Sequence, residues 1–140
     1  MINSNILFVD NSKVGIEGAK KAFSTLGIEN TLHFAENDVE AWDMLDGNHK
    51  ISPVPKILLI DINQEGINGL DLINKIRSHE DLKSILIFVI TSIDNEKNRS
   101  EALNLNIAGY IHKPIDNDNI DFFSILYNYW NIIEYSSEKK

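Results

Sequence analysis

The chain has no cysteine, which excludes disulfide scaffolds, thiolate metal sites and cysteine nucleophiles. Basic charge is scarce as well: 13 Lys and Arg face 21 Asp and Glu, a formal net charge of −8. Nucleic-acid surfaces are normally basic, so no DNA partner is expected. Long apolar runs are missing. The longest, Ile85 to Ile90, has six residues, against the roughly 20 that span a bilayer as a helix. The N-terminus "MINSNILFVDN" lacks a basic n-region, so neither a membrane span nor a signal peptide is expected and a cytoplasmic location is. There is no GxGxxG and no GK[ST] to cradle a nucleotide phosphate. His33, His49, His79 and His112 are scattered without ligand spacing.

What is present reads as one globular domain. Hydrophobic residues make up 43% and charged residues 24% of 140, an ordinary balance for a chain that buries a core. Apolar runs without alternation occur at Ile6–Val9, Ile57–Ile60 and Ile85–Ile90, with weaker ones at Thr31–Ala35 and Tyr110–Ile111. Runs of this kind predict strands covered on both faces, as in a parallel sheet. Between them lie helical patterns. Ser12 caps a first helix carrying Gly15, Ala19, Ala22, Phe23 and Leu26, and Gly27 stops it. Asn37 caps a second, bearing Ala41, Trp42 and Leu45 and ended by Gly47. Asn68 caps a third with Leu70, Ile73 and Ile76 inward. A fourth covers about residues 95–105 with Ala102, Leu103 and Leu105, and a fifth about 117–135. Five β-α units imply right-handed crossovers and an α/β fold, a doubly wound five-stranded parallel sheet. Residues 1–135 form the domain and 136–140 a frayed tail.

In such a sheet, ligands bind at the carboxyl ends of the strands. There the first strand delivers Asp10 and Asn11, and the third delivers Asp61 with Asn63 two residues on. The fourth delivers Thr91, and the fifth delivers Lys113 before Pro114. One Asp at a strand end is ordinarily a loop residue or a helix cap, and a lone Lys or Thr is blander still. The joint pattern is not. Two carboxylates repel unless a hard cation such as Mg²⁺ bridges them through oxygen. A carboxylate can also attack phosphorus to give an acyl phosphate. A metal, an ammonium and a hydroxyl would then neutralise the transferring group.

With those residues in place, the chain resembles a response-regulator receiver domain of two-component signalling, with a (βα)5 flavodoxin-like fold. The resemblance implies that Asp61 is the phosphoacceptor and that Asp10, Asn11, Asp61 and Asn63 hold Mg²⁺. It implies that Thr91 and Lys113 bind the phosphate and that Tyr110 is the aromatic switch partnered with Thr91. Gly69 matches the glycine that starts the third helix, and Lys113–Pro114 is expected to be cis by analogy. Expected partners are a histidine kinase or phosphotransfer protein upstream and a protein target downstream. A narrower likeness is to stand-alone receivers that partner bacterial phytochrome-type kinases.

Two departures stand out. Asn11 occupies the place of the family's second acid, so two carboxylates are expected rather than three, with weaker metal affinity. Glu65 replaces a proline common four residues after the acceptor. The rival reading is a pseudo-receiver, a phosphorylation-independent interaction module whose metal site Asn11 has crippled. A phosphohydrolase is disfavoured because position 63 is Asn and not a second acid. The fifth helix carries two apolar stripes, Ile120, Phe123, Tyr127 and Trp130, and Phe122, Leu126, Tyr129 and Ile133. One should pack on the sheet; the other is either more core or a contact for a homodimer or a partner.

Overall fold

The computed structural model describes residues 4–93, 95–112 and 120–138, with side chains from 122 to 132 in the last segment. Five strands alternate with five helices: β1 Asn5–Val9, α1 Lys13–Leu26, β2 Thr31–Ala35, α2 Asp38–Asp46, β3 Ile57–Ile60, α3 Gly69–Arg77, β4 Leu86–Thr91, α4 Glu96–Leu103, β5 Gly109–His112 and α5 Ile120–Glu138. All strand pairs are parallel, in the order β2-β1-β3-β4-β5. This is the doubly wound order whose switch point lies between β1 and β3.

The unbroken apolar runs have the predicted cause. Every residue of β3 is buried, because both faces of the sheet are covered. One face packs Leu7, Val9, Leu58, Ile60, Ile87 and Val89 under α2, α3 and α4. The other packs Ile6, Phe8, Ile57, Leu59, Phe88 and Ile90 under α1 and α5.

Three helix starts follow the capping rule. Ser12 Oγ accepts from the Gly15 N–H at 3.2 Å, Asn37 Oδ1 from Glu40 N–H at 2.8 Å and Asn95 Oδ1 from Asn98 N–H at 3.0 Å. Gly27 ends α1 in the left-handed region at φ 65°. Asn68 departs from the prediction: it makes no side-chain cap and instead donates Nδ2 to Asp71 Oδ2 at 2.8 Å. Leu70 is only half-buried while Leu72 joins Ile73 and Ile76 inside. Leu103, named in the pattern of the fourth helix, is 51% exposed. α4 is shorter than its pattern, and α5 runs past Tyr135 to Glu138. The cis peptide among the described residues is Ser52–Pro53; Lys113–Pro114 lies outside them.

On α5 the described members of both predicted stripes mostly turn inward: Phe122, Phe123, Leu126 and Trp130 are buried, and Tyr127 is half-buried against the same cluster, while the side chains of Ile120 and Ile133 lie outside the described residues. Tyr129 is the exception, exposed beside Ile125 (71%) and Ile132 (67%). The exposed apolar line is thus a third stripe, Ile125–Tyr129–Ile132, at i, i+4, i+7 spacing.

Two predictions follow from this packing. Trp130 is fully buried against Phe23 and Phe88, with ring centroids 6.3 and 6.5 Å away. Trp130→Ala should cost about 3–5 kcal/mol in urea unfolding. Trp130→Phe should cost under about 2 kcal/mol, because it keeps most of the volume and removes an indole N–H buried without a partner among the described residues. Gly15 lies so close behind the end of β1 that an added Cβ would fall 2.5 Å from Asp10 Oδ2. Helix propensity alone makes Gly→Ala stabilising by about 1 kcal/mol. Here we expect the opposite sign, a lower urea midpoint for Gly15→Ala; a raised midpoint would refute the contact.

Candidate functional site

Register builds the site. Val9 is level with Ile60, and Ile60 with Val89, so the next residues of β1 and β3, Asp10 and Asp61, emerge side by side at the carboxyl rim. Thr91 ends β4 one step further on and is level with His112 of β5. Lys113 follows His112 but lies outside the described residues. Asp10, Asp61 and Thr91 are 1%, 7% and 0% exposed. Polar groups this deep need hydrogen bonds to offset desolvation.

Backbone turns supply part of that compensation. Asp10 Oδ1 accepts from the Ser12 N–H at 2.7 Å, and Asp61 Oδ1 from the Asn63 N–H at 2.8 Å. Each carboxylate therefore folds back on the residue two places on, which fixes its rotamer. Asp10 is braced from α1 as well, by the close approach of Gly15.

Amides complete the rim. Gln64 donates Nε2 to Asp10 Oδ1 at 2.8 Å and accepts at Oε1 from the Asn11 N–H at 3.0 Å. Asn11 is exposed, and its Nδ2 donates to the Glu65 carbonyl at 2.6 Å. Asn63 donates Nδ2 to Thr91 Oγ1 at 2.9 Å and to the Ile93 carbonyl at 3.1 Å. Asn98 of α4 donates Nδ2 to Asn63 Oδ1 at 2.8 Å. Tyr110 packs half-buried against the cluster under α2–α4, and its hydroxyl is buried without a hydrogen-bond partner among the described residues.

Four predicted site residues, Asp10, Asp61, Asn63 and Thr91, are thus brought to one place, and Asn11 reaches its margin with the side chain turned to the β3–α3 loop. Gln64 and Asn98 were missed. Gln64 stands in a loop without periodicity. Asn98 reads as a solvated helix position, and only the tertiary contact reveals it.

The oxygens on offer are hard donors: two carboxylates, together with the amide and backbone oxygens of Asn11 and Asn63. That set suits Mg²⁺. No group of three Asp, Glu, His or Cys side chains that could hold a metal forms among the described residues.

Comparison with known proteins identifies the family and the fold. The model of the response regulator receiver domain matches residues 6–121. The chemotaxis protein CheY1 of Helicobacter pylori is 38% identical over 109 residues, covering 78% of this chain and 84% of that protein. Response regulator Rcp1 of Synechocystis sp. is 27% identical over 110 residues, covering 77% of this chain and 75% of that one. The solved structure of response regulator RPA3017 in red light signaling of R. palustris shares the fold. Its TM-score is 0.80 at 19% identity, over 91% of this chain and 93% of that chain. Receiver domains are signalling modules rather than classical enzymes; they interact with histidine kinases and downstream targets and generally bind Mg²⁺. This chain belongs to the response regulator receiver domain family.

Proposed function

We propose that Asp61 accepts a phosphoryl group from a histidine kinase or phosphotransfer protein and that the phosphorylated state changes which protein the domain binds. The supporting observation is the burial of Asp61 beside Asp10 at the carboxyl end of the central strand. In the transfer, an Asp61 carboxylate oxygen attacks phosphorus, a P–O bond forms, and the P–N bond to the donor imidazole breaks with the electron pair leaving on nitrogen. Asn63 N–H holds the acceptor's orientation throughout. Mg²⁺, held by Asp10, Asp61 and the oxygens of Asn11 and Asn63, would supply charge neutralisation at the phosphoryl oxygens. Lys113 is proposed as a second cation for the same oxygens.

Thr91 and Tyr110 are the proposed switch. The Thr91 hydroxyl is engaged with Asn63 and with the Ile93 backbone. To reach a phosphoryl oxygen it must leave those partners. The Tyr110 hydroxyl is buried while Thr91 is tied to Asn63. The Ile125–Tyr129–Ile132 stripe on α5 is the proposed contact for a downstream protein or a second copy. Since relatives named for chemotaxis and for phytochrome signalling both match, the upstream partner is proposed by class only, in a cytoplasmic setting.

One observation favours a second reading: Asn11 brings no charge and spends its amide on Glu65, as a phosphorylation-independent pseudo-receiver would tolerate. The readings separate on incubation with a small acyl-phosphate donor, with and without Mg²⁺, followed by intact-protein mass spectrometry. We expect one added phosphoryl group in the wild type with Mg²⁺ and none in Asp61→Ala. A wild type that stays unmodified at millimolar Mg²⁺ would establish the pseudo-receiver.

A further inference from the structure

The geometry points to Gln64 as a removable cap on Asp10 that competes with the metal for the same carboxylate. The inference rests on the proposed reading of Asp10 and Asp61 as the metal pair, and it assigns a role to a residue of the β3–α3 loop.

Asp10 Oδ1 takes two donors, the Ser12 N–H at 2.7 Å and Gln64 Nε2 at 2.8 Å. Two donors on one carboxylate oxygen match the number of its lone pairs. The other oxygen, Oδ2, faces the close backbone of Gly15, where even a methyl group would sit 2.5 Å away. Neither neighbour can yield cheaply. The Ser12 N–H belongs to the cap of α1, whose side chain holds the helix start through Gly15, and Gly15 is a buried helical position. Gln64 differs on both counts. It is half-buried, in a loop, and attached through a flexible side chain whose other end holds only the Asn11 N–H at 3.0 Å. Of these described neighbours of Asp10, it is the one that can leave.

A cation approaching Asp10 therefore meets an amide already hydrogen-bonded to its ligand oxygen. Binding exchanges that bond for a metal–oxygen bond, and the apparent affinity falls by the strength of the bond lost. With two carboxylates in place of three, this competition bears on a site of reduced charge. Gln64 tunes occupancy by opposing the metal, in contrast to a residue that ligates it.

The full-length chain is titrated with Mn²⁺, and free metal is read from its electron paramagnetic resonance signal. Wild type is compared with Gln64→Met, which keeps the volume and loses the donor, with Gln64→Ala, and with Asp10→Asn as control. Both Gln64 variants should bind Mn²⁺ about three- to tenfold more tightly, the span of one ordinary net hydrogen bond. Urea midpoints should stay near the wild-type value, which separates the effect from a change in stability. Equal Kd values in wild type and variants overturn the cap while leaving the metal pair intact. Weaker binding in the variants overturns it in favour of Gln64 Oε1 as a ligand. Absence of binding in every variant, or binding that Asp10→Asn leaves unchanged, overturns the cap and the metal pair together.

Discussion

Everything at the site depends on the register of three parallel strands. β1, β3 and β4 are buried on both faces, so a slip of one residue would turn every core side chain to the opposite face and scramble both clusters. Packing of Leu7, Leu58 and Ile87 on one side and of Phe8, Leu59 and Phe88 on the other therefore fixes where each strand ends. The height of Asp10 against Asp61 is a by-product of apolar burial. Isolated buried carboxylates are expensive, and the apolar runs that end in them provide the stability that tolerates them.

The immediate surroundings of the two acids are unusual in their chemistry. Gln64 donates to Asp10 at 2.8 Å and accepts from the Asn11 backbone N–H at 3.0 Å, while Asn98 donates to Asn63 and Asn63 to Thr91 at 2.8 and 2.9 Å. An amide both donates and accepts, so it can satisfy a carboxylate in one state and turn an oxygen to a cation in another. A third acid in place of Asn11 would bind a cation more strongly but would add repulsion when no cation is present. An amide at position 11 lies between these extremes.

Legibility in the sequence tracked the length scale of the physics involved. Strand ends were readable because an unbroken apolar run stopping at a polar residue is a local signal; Asp10, Asp61 and Thr91 all follow such a stop. The caps Ser12 and Asn37 were readable for the same reason. Asn68 was not, since Asp71 competes for its amide and Asp38 Oδ1 takes its N–H at 2.9 Å. On α5, composition is so apolar that periodicity could not say which stripe remains outside; contact with α1 and β4 decides it. Arg77 gave no signal at all. Its guanidinium donates to the carbonyls of Leu105, Lys83, Ile85 and Asn106 at 2.8–2.9 Å, tying the end of α3 to the starts of β4 and β5. Burial lowers its pKa from the usual guanidinium value, yet the role exists only in the folded chain.

The same network suggests which element answers a change at the rim. Asn98 reaches Asn63, and Asn63 reaches Thr91, so α4 is linked to the Thr91 hydroxyl through two amide hydrogen bonds of 2.8 and 2.9 Å. α4 is also the helix with least to lose. Ala102 is its one buried residue, and Leu103 is half in solvent. A hydroxyl bonded to a charged phosphoryl oxygen gains about 1 kcal/mol over a neutral amide partner. That is small beside the burial holding α3 or α5, each with three or more large apolar side chains inside. It is comparable with what anchors α4. If Thr91 moves as proposed, Asn63 loses a partner, the bond to Asn98 is released from its geometric constraint, and the weakly seated helix shifts its population first.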